Sequence, residues 1–446
     1  MTAIAGNPTV ASRARLWRDR SAWTTTADVL AILVALTLPW STSLVGIFSV
    51  AMLVAMGPFL DVEALLRSLR RPISAAPIAL FLLALIGTLW SDAAWGARLY
   101  AVSPAAKLLA LPLLFYHFER SERGLAVFTA FLASCALMVP MSWIVAFHPT
   151  LSLKPAAEAA RGIFVKNYID QSQEFALCAV ALAYPIITLL QARKIWPALL
   201  LGAVSLSFVA TMAFVIVSRT ALVTMPIMLA VFGLLHLKWR TNLMILCSAA
   251  VIAVIAWASS PQLQWTVTTF ARDYQLYEEQ GIPTSIGERL EFWRKSLRFF
   301  ADAPVIGHGT GSTRGLFEQA ATGPAGLASS QVIGNPHNQT LNVAVQWGTV
   351  GVVVLYAMWL LHLLLFRGAG PAPWIGLLVV VQNIFTSLFN SHIFDFHEGW
   401  MYVLGVGVAG GMVLKPRPSV PQASVPQASD PRASDPKVET TRSSSP

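Results

Sequence analysis

Residues 195–236 read IWPALLLGAVSLSFVATMAFVIVSRTALVTMPIMLAVFGLLH. Two apolar runs, roughly 195–217 and 220–236, flank a single charged side chain, Arg219. Runs of this length and composition cross the hydrocarbon core of a bilayer as helices. Ser218–Arg219 then reads as a tight turn at a membrane face.

The same pattern recurs along the 446 residues. Twelve spans are expected, at roughly 25–40, 42–60, 73–91, 99–118, 125–147, 174–191, 195–217, 220–236, 241–259, 339–366, 373–390 and 400–414. With 55% hydrophobic and 12% charged residues, and a mean hydropathy of +0.61, the chain is far too apolar for a soluble domain. The runs are continuous rather than alternating, which argues against a β-barrel. The expectation is an all-α polytopic membrane protein of about 12 transmembrane helices.

Charge sets the orientation. With a cytoplasmic N-terminus, the inner connections hold Arg67/Arg70/Arg71, Arg120/Arg123, Arg193/Lys194, Lys238/Arg240 and Arg367, and the tail opens with Lys415 and Arg417. Positive residues flank spans on the cytoplasmic side, so both termini are expected inside. The net charge of +9 therefore reports topology rather than nucleic-acid binding. The first run follows Arg13, Arg15, Arg18 and Arg20 and reads as a retained span, not a cleaved signal. Cys135, Cys178 and Cys247 sit in separate apolar runs and offer neither a disulfide framework nor metal spacing.

The organisation is then a basic N-terminus (1–24), spans one to nine (25–259), a large outer segment (260–338), spans ten to twelve (339–414) and a tail (415–446). The tail repeats SVPQA and SDP units with almost no large apolar residues, a disordered composition. Within the outer segment, TSIGERLEFWRKSLRFFADAP reads as an amphipathic helix with a Ser285/Glu288 capping box. Its stripe is Ile286, Leu290, Trp293, Leu297 and Phe300, with Glu288, Glu291, Arg294, Lys295 and Arg298 opposite. Arg289 falls on the stripe's edge, aimed at the body of the protein.

The stretch GNPHNQTLNVAVQWG, Gly334–Gly348, carries polar residues into the tenth span. Asn335–Pro336 suits an N-cap and first helical position, placing His337 in the first turn. Such a helix start favours phosphate and keeps a nearby His neutral, able to act as a base. Asn338, Asn342 and Gln346 descend one face, by interhelical bonding or beside a wet cavity. Arg161, Arg219 and Arg289 share the outer face with His337. Arg161 reads equally as a loop charge and Arg289 as a surface ion-pair partner, but Arg219 defies the charge rule. Arginine stays charged when desolvated and binds phosphate oxygens in pairs. The set suggests a site for a phosphorylated, membrane-held substrate.

Weaker signals remain. NSHIFDFHEGW places His392, Asp395, His397 and Glu398 in the last outer loop; the spacing matches no metal pattern, and an acidic lip orienting His or Arg is the better reading. GHGTGS, Gly307–Ser312, reads as a turn rather than a nucleotide loop. Lys107, inside an apolar run, is open between snorkelling, pairing with Asp170 or Glu174, and touching substrate.

FVIVSRTALV, then GERLEFWRKSLRFFADAPVIGHGTGS, then NPHNQTLNVAVQWGTVGVVVLY resemble, in that order, the signature region of the O-antigen ligases and related polymerases. The matching positions are Ser218–Arg219, Arg289, Pro304/Gly307/Gly309, His337–Asn338 and Gly348/Gly351, with RGIFVKNYIDQSQEFALCAVALAYP also similar. The resemblance implies a GT-C-like fold in the bacterial inner membrane with its active site on the periplasmic face. It implies transfer of O-antigen from undecaprenyl pyrophosphate to lipid A–core, with no metal, nucleotide or other cofactor. Carried over, His337 would be the base, and Arg161, Arg219 and Arg289 would hold the pyrophosphate; Asn338, Asp395 and Lys107 are supporting candidates. The partners would be the two lipid-linked substrates and membrane lipids, with no nucleic acid. Alternatives are an O-antigen polymerase or a protein O-oligosaccharyltransferase with the same donor, and a secondary transporter, against which the missing internal repeat and midplane site count.

Overall fold

A computed structural model describes residues 20–152 and 154–416. The chain divides into two units, 1–415 and 416–446, and every helix below belongs to the first. The readings of the basic stretch at residues 1–19 and of the repeat tail from 417 lie outside the described residues.

All regular structure in the described residues is helical. The α-helices are α1 (Arg20–Thr37), α2 (Thr42–Met56), α3 (Val62–Leu69), α4 (Pro72–Ile86), α5 (Trp95–Ala106), α6 (Ala110–Phe118), α7 (Gly124–Phe147), α8 (Ala156–Ala159), α9 (Tyr168–Ala181) and α10 (Ala183–Gln191). They continue as α11 (Ile195–Phe214), α12 (Arg219–His236), α13 (Trp239–Ser259), α14 (Pro261–Gln280), α15 (Ser285–Asp302), α16 (Thr313–Gln319), α17 (Gln339–Leu365), α18 (Pro371–Thr386) and α19 (Phe396–Leu414).

Eight helical stretches among the described residues are long and apolar enough to cross a membrane: 42–59, 72–89, 95–118, 124–147, 168–191, 195–214, 239–259 and 339–365. The chain is a polytopic helical membrane protein. The other four expected spans also fall on helices. Those on α12 and α18 are short, at Arg219–Leu235 and Pro371–Thr386. Those on α1 and α19 start with polar residues, among them Asp28 in α1 and His397 and Glu398 in α19.

Helix α19 lies at the centre. Its residues Met401 to Gly411 are all buried, and it packs on α6 and α18. Small residues make that approach possible, since two backbones can meet only where no side chain intervenes. A Cβ on Gly411 would fall within contact of the Phe118 backbone, so α6 and α19 touch there nearly directly.

Two sequence readings need correction. Helix α17 starts at Gln339, capped by Asn338, whose side chain accepts from Leu341 N–H at 3.0 Å. Asn335–Pro336 therefore does not begin the helix, and His337 lies outside its first turn. The backbone explains this: His337 has φ +52, a left-handed conformation outside the right-handed helical range. Asn335 Oδ1 accepts from His337 N–H at 3.0 Å, forming a local turn ahead of the helix.

Helix α15 begins at Ser285 but is capped by Thr284, which accepts from Gly287 N–H, rather than by Ser285. It is also rotated from the expected stripe. Phe292 and Phe299 are buried against Phe317 and Val345, whereas Leu297 is 56% exposed. Glu291 and Lys295, expected opposite the apolar stripe, are buried too. Their polar groups are paired inside: Glu291 receives Tyr277 at 3.0 Å and Arg294 at 2.8 Å, and Lys295 donates to the Ser329 carbonyl at 2.5 Å. Satisfied in this way, charged groups no longer oppose burial, and the larger aromatics choose the face.

The GHGTGS segment is a turn. Its N–H groups from His308 to Gly311 go to Val345, Gln346 and Gly87 carbonyls and to Gln346 Oε1, leaving none for a phosphate. Helix α17 kinks opposite it at Gly348, with φ +59 and ψ −155. Thr349 and Val350 N–H groups then donate to the Pro304 and Val305 carbonyls. A Cβ at Gly348 would overlap the Val305 carbonyl. Gly348→Ala should cost roughly 2–4 kcal/mol, from left-handed strain plus that overlap. A wild-type thermal unfolding midpoint in detergent would show that the kink carries no such constraint.

Candidate functional site

The starts of α9, α12, α17 and α19 and the end of α18 meet at one end of the bundle. The joints are explicit: Gln339 N–H donates to the Ser387 carbonyl at 2.8 Å, and His397 Nδ1 meets Asp170 Oδ2 at 2.6 Å. Over this end lie α14 and α15.

Arg161, Arg219 and Arg289 line one cavity of about 520 Å³. Arg219 starts α12; its Nη1 pairs with Asp273 Oδ2 at 3.0 Å and its Nη2 donates to Thr269 Oγ1 at 3.0 Å. The guanidinium of Arg161 lies 4.5 Å above the Tyr168 ring. Arg289 projects from the first turns of α15 and, among the described residues, bonds only Ser285, at its carbonyl and hydroxyl, while its buried Nε has no partner among them. Burial lowers the Arg289 pKa from its ordinary value; Tyr168 opposes this and the like charge of Arg219 adds to it. An anion would relieve both effects.

Arg272 also lines the cavity, beside Thr269 and Asp273 on α14. None of these three stood out in the sequence. Their signal was there, because Thr269, Arg272, Asp273 and Leu276 repeat at helical spacing and so share one face.

His337 does not line the cavity but adjoins it. Its ring stacks on Phe292, centroids 6.1 Å apart, one turn along α15 from Arg289. His337 Nδ1 meets Asn390 Oδ1 at 2.9 Å. Asn390 is oriented in turn, because its Nδ2 donates to Asp395 Oδ2 at 2.6 Å. Asn335 Nδ2 also donates to Asn390 Oδ1, at 3.1 Å. An amide oxygen only accepts, so Nδ1 carries the proton and Nε2 keeps a lone pair. Nε2 has no hydrogen-bond partner among the described residues. Burial lowers the His337 pKa below its ordinary 6.5; the Asn390 bond opposes this and the Arg289 charge reinforces it. The expected neutrality thus comes from burial and Arg289, not from a first-turn helix field.

The supporting residues divide. Asp395 acts on His337 through Asn390, and burial raises its pKa to about 7 against the opposing charge of Lys107. Lys107 donates to the carbonyls of Phe394 (3.3 Å) and Asp395, so it holds the turn that carries Asp395 rather than pairing with Asp170 or Glu174. Asn338 caps α17 and donates to the Leu388 carbonyl at 3.2 Å. Asn342 and Gln346 face inward, towards Ser391 and Gly311. Buried His392 also senses the site: burial pushes its pKa down to about 4, Asp170 opposes, and Arg289 and His337 add to the shift. Asn390 and Ser391, the pivots of this loop, went unremarked in the sequence, although they open the polar stretch NSHIFDFHEGW. Polar side chains at a membrane edge that must find partners were the available signal.

Residues 204–356 match the family model described as O-antigen ligase. Over that stretch, about a third of its length, the chain is similar to the O-antigen ligase family. The matched region contains Arg219, Arg289 and His337, while Arg161, Asn390 and Asp395 lie outside it. The family implies ligase- or polymerase-type transfer of lipid-linked saccharides. No curated protein matches the chain significantly.

Removing the Asn390 carboxamide strips partners from His337, Asn335 and Asp395 together. Asn390→Ala should cost about 1–3 kcal/mol and let neutral His337 populate both tautomers. Nitrogen-15 NMR of labelled histidine reads this directly. An unchanged Nδ1–H signature in the variant would remove Asn390 as the orienting group.

Proposed function

We propose that this protein is an O-antigen ligase of the bacterial inner membrane, with its active end on the periplasmic side. It transfers a polysaccharide from undecaprenyl pyrophosphate to a sugar of lipid A–core. The observation that carries the reading is the convergence of Arg161, Arg219 and Arg289 on one cavity, with neutral His337 beside Arg289.

The chemistry follows from charge. Breaking the bond between the anomeric carbon and the donor's pyrophosphate develops negative charge on the phosphate oxygen. Arginines fixed in the cavity stabilise that charge without reorganising at the moment of reaction. His337 Nε2 takes the proton of the acceptor hydroxyl as that oxygen attacks the anomeric carbon. Asn390 keeps the opposite nitrogen protonated, so Nε2 is the nitrogen free to act. One direct displacement inverts the anomeric centre. The Arg289 that helps hold the donor also disfavours protonated His337, so binding charge and base strength are coupled.

The test is transfer by the purified protein from a defined lipid-linked glycan to lipid A–core. Core-linked product supports a ligase; longer lipid-linked glycan and no core-linked product would make the protein a polymerase. His337→Ala should lower turnover by about 10²–10⁴-fold, and full activity in that variant would end the base assignment. The pH dependence has a definite sign. The base must be neutral, and its pKa lies below 6.5, so the acid limb of kcat/KM should fall below pH 6.5. Arg289→Gln removes one of the influences lowering that pKa, so residual activity should show the limb moved up in pH. An unmoved limb would separate Arg289 from His337.

A further inference from the structure

Four arginines line the cavity, Arg161, Arg219, Arg272 and Arg289, and one carboxylate, Asp273, lines it with them. Of the four, only Arg219 has a carboxylate within ion-pair distance among the described residues. Its two terminal nitrogens are both taken, by Asp273 and Thr269, neighbours on one face of α14. Carboxylate and hydroxyl oxygens thus sit where phosphate oxygens would sit in a bidentate arginine–phosphate pair. The pair is partly buried, with side chains 28% and 21% exposed, so it is screened less than a surface ion pair. Arg272 neighbours Asp273 in sequence and has no hydrogen bond or ion pair among the described residues, although its side chain lines the same cavity.

Asp273 is held firmly enough for this role. Thr284 Oγ1 donates to its backbone carbonyl at 2.7 Å, and Tyr277, one turn further, bonds Glu291 at 3.0 Å, so α14 is tied to α15. A carboxylate fixed against Arg219 competes with any anion for that guanidinium. It also repels a phosphate that has entered.

We infer that Arg272 and Asp273 of α14 belong to the donor site: Arg272 is a further phosphate-binding residue, and Asp273 is an internal stand-in that a donor phosphate displaces from Arg219. This rests on the donor reading above and extends it to residues on a helix not suspected of a role. Asp273 weakens the bound state and speeds departure of the pyrophosphate lipid after transfer. It sets the site for the doubly phosphorylated headgroup, since a single phosphate offers less charge with which to displace it.

The probe is inorganic pyrophosphate, titrated onto the purified full chain in lipid nanodiscs. Asp273→Asn should tighten binding roughly three- to tenfold, because it keeps the shape and removes the competing charge. Arg272→Ala should weaken binding by a similar factor, and Asp273→Glu should restore near-wild-type affinity. With the full lipid-linked donor, Asp273→Asn should lower KM and kcat together, as expected when product is held. Each protein's thermal unfolding midpoint checks that it is folded. If Asp273→Asn weakens pyrophosphate binding as Arg219→Ala does, the carboxylate merely positions the arginine and the inference is overturned. Unchanged binding in Arg272→Ala overturns the Arg272 part. If the single Ala variants of Arg161, Arg219 and Arg289 all bind pyrophosphate like wild type, the donor reading itself fails, a pattern distinct from either.

Discussion

The bond between His337 Nδ1 and Asn390 Oδ1, with the bonds of Asn335, Asn338 and Gln339 beside it, joins two parts of the chain. One is the entry to α17; the other is the loop between α18 and α19. Around it, Asn335, Ser391, Asn342 and Asp395 form a connected set of polar groups at the rim of an apolar bundle. Where water is scarce, such groups must satisfy one another. That requirement fixes the loop and the α17 entry as one unit, and the unit fixes the histidine's tautomer. Packing alone would bring the helices together without deciding which imidazole nitrogen is free.

The arginine cavity obeys the opposite logic. Its like charges are only partly compensated, and the buried Nε of Arg289 has no partner among the described residues. An arrangement that leaves cations close together costs stability, and here that cost falls where an anion would recover it. Asp273 and the Tyr168 ring soften the repulsion at Arg219 and Arg161. Helix α14 is therefore part of the charge balance and not only a cover.

How much was legible depended on the kind of signal. Continuous apolar runs announced helices: the twelve expected runs fall on helical segments, two of them divided between successive helices, and eight helical stretches among the described residues are long and apolar enough to cross a membrane. A lone charge between two spans singled out Arg219 in the sequence; the structure places it in the cavity wall, paired with Asp273. What could not be read was rotation and register. The α15 stripe was misassigned because Glu291 and Lys295 look like solvent-facing charges until their partners Tyr277, Arg294 and Ser329 are known. Asp273 was overlooked because its meaning comes from Arg219, 54 positions away. Pairings of that separation are tertiary facts, and no local periodicity encodes them.

The entry to α17 shows the same limit at a single residue. Asn-Pro is a sound helix-start signal, yet the helix waits for Asn338. The difference is chemical. In a first helical turn, the His337 side chain would lean back along the helix axis. Held at φ +52 by the Asn335 side chain, it is turned off the helix instead, between Phe292 and Asn390. A non-glycine residue in that conformation carries a strain of order 1 kcal/mol or more. The strain is offset by the hydrogen bonds of Asn335 and Asn390, and it leaves one imidazole nitrogen unengaged next to a positively charged cavity. A regular helix start would have been more stable locally, and would have pointed the imidazole elsewhere.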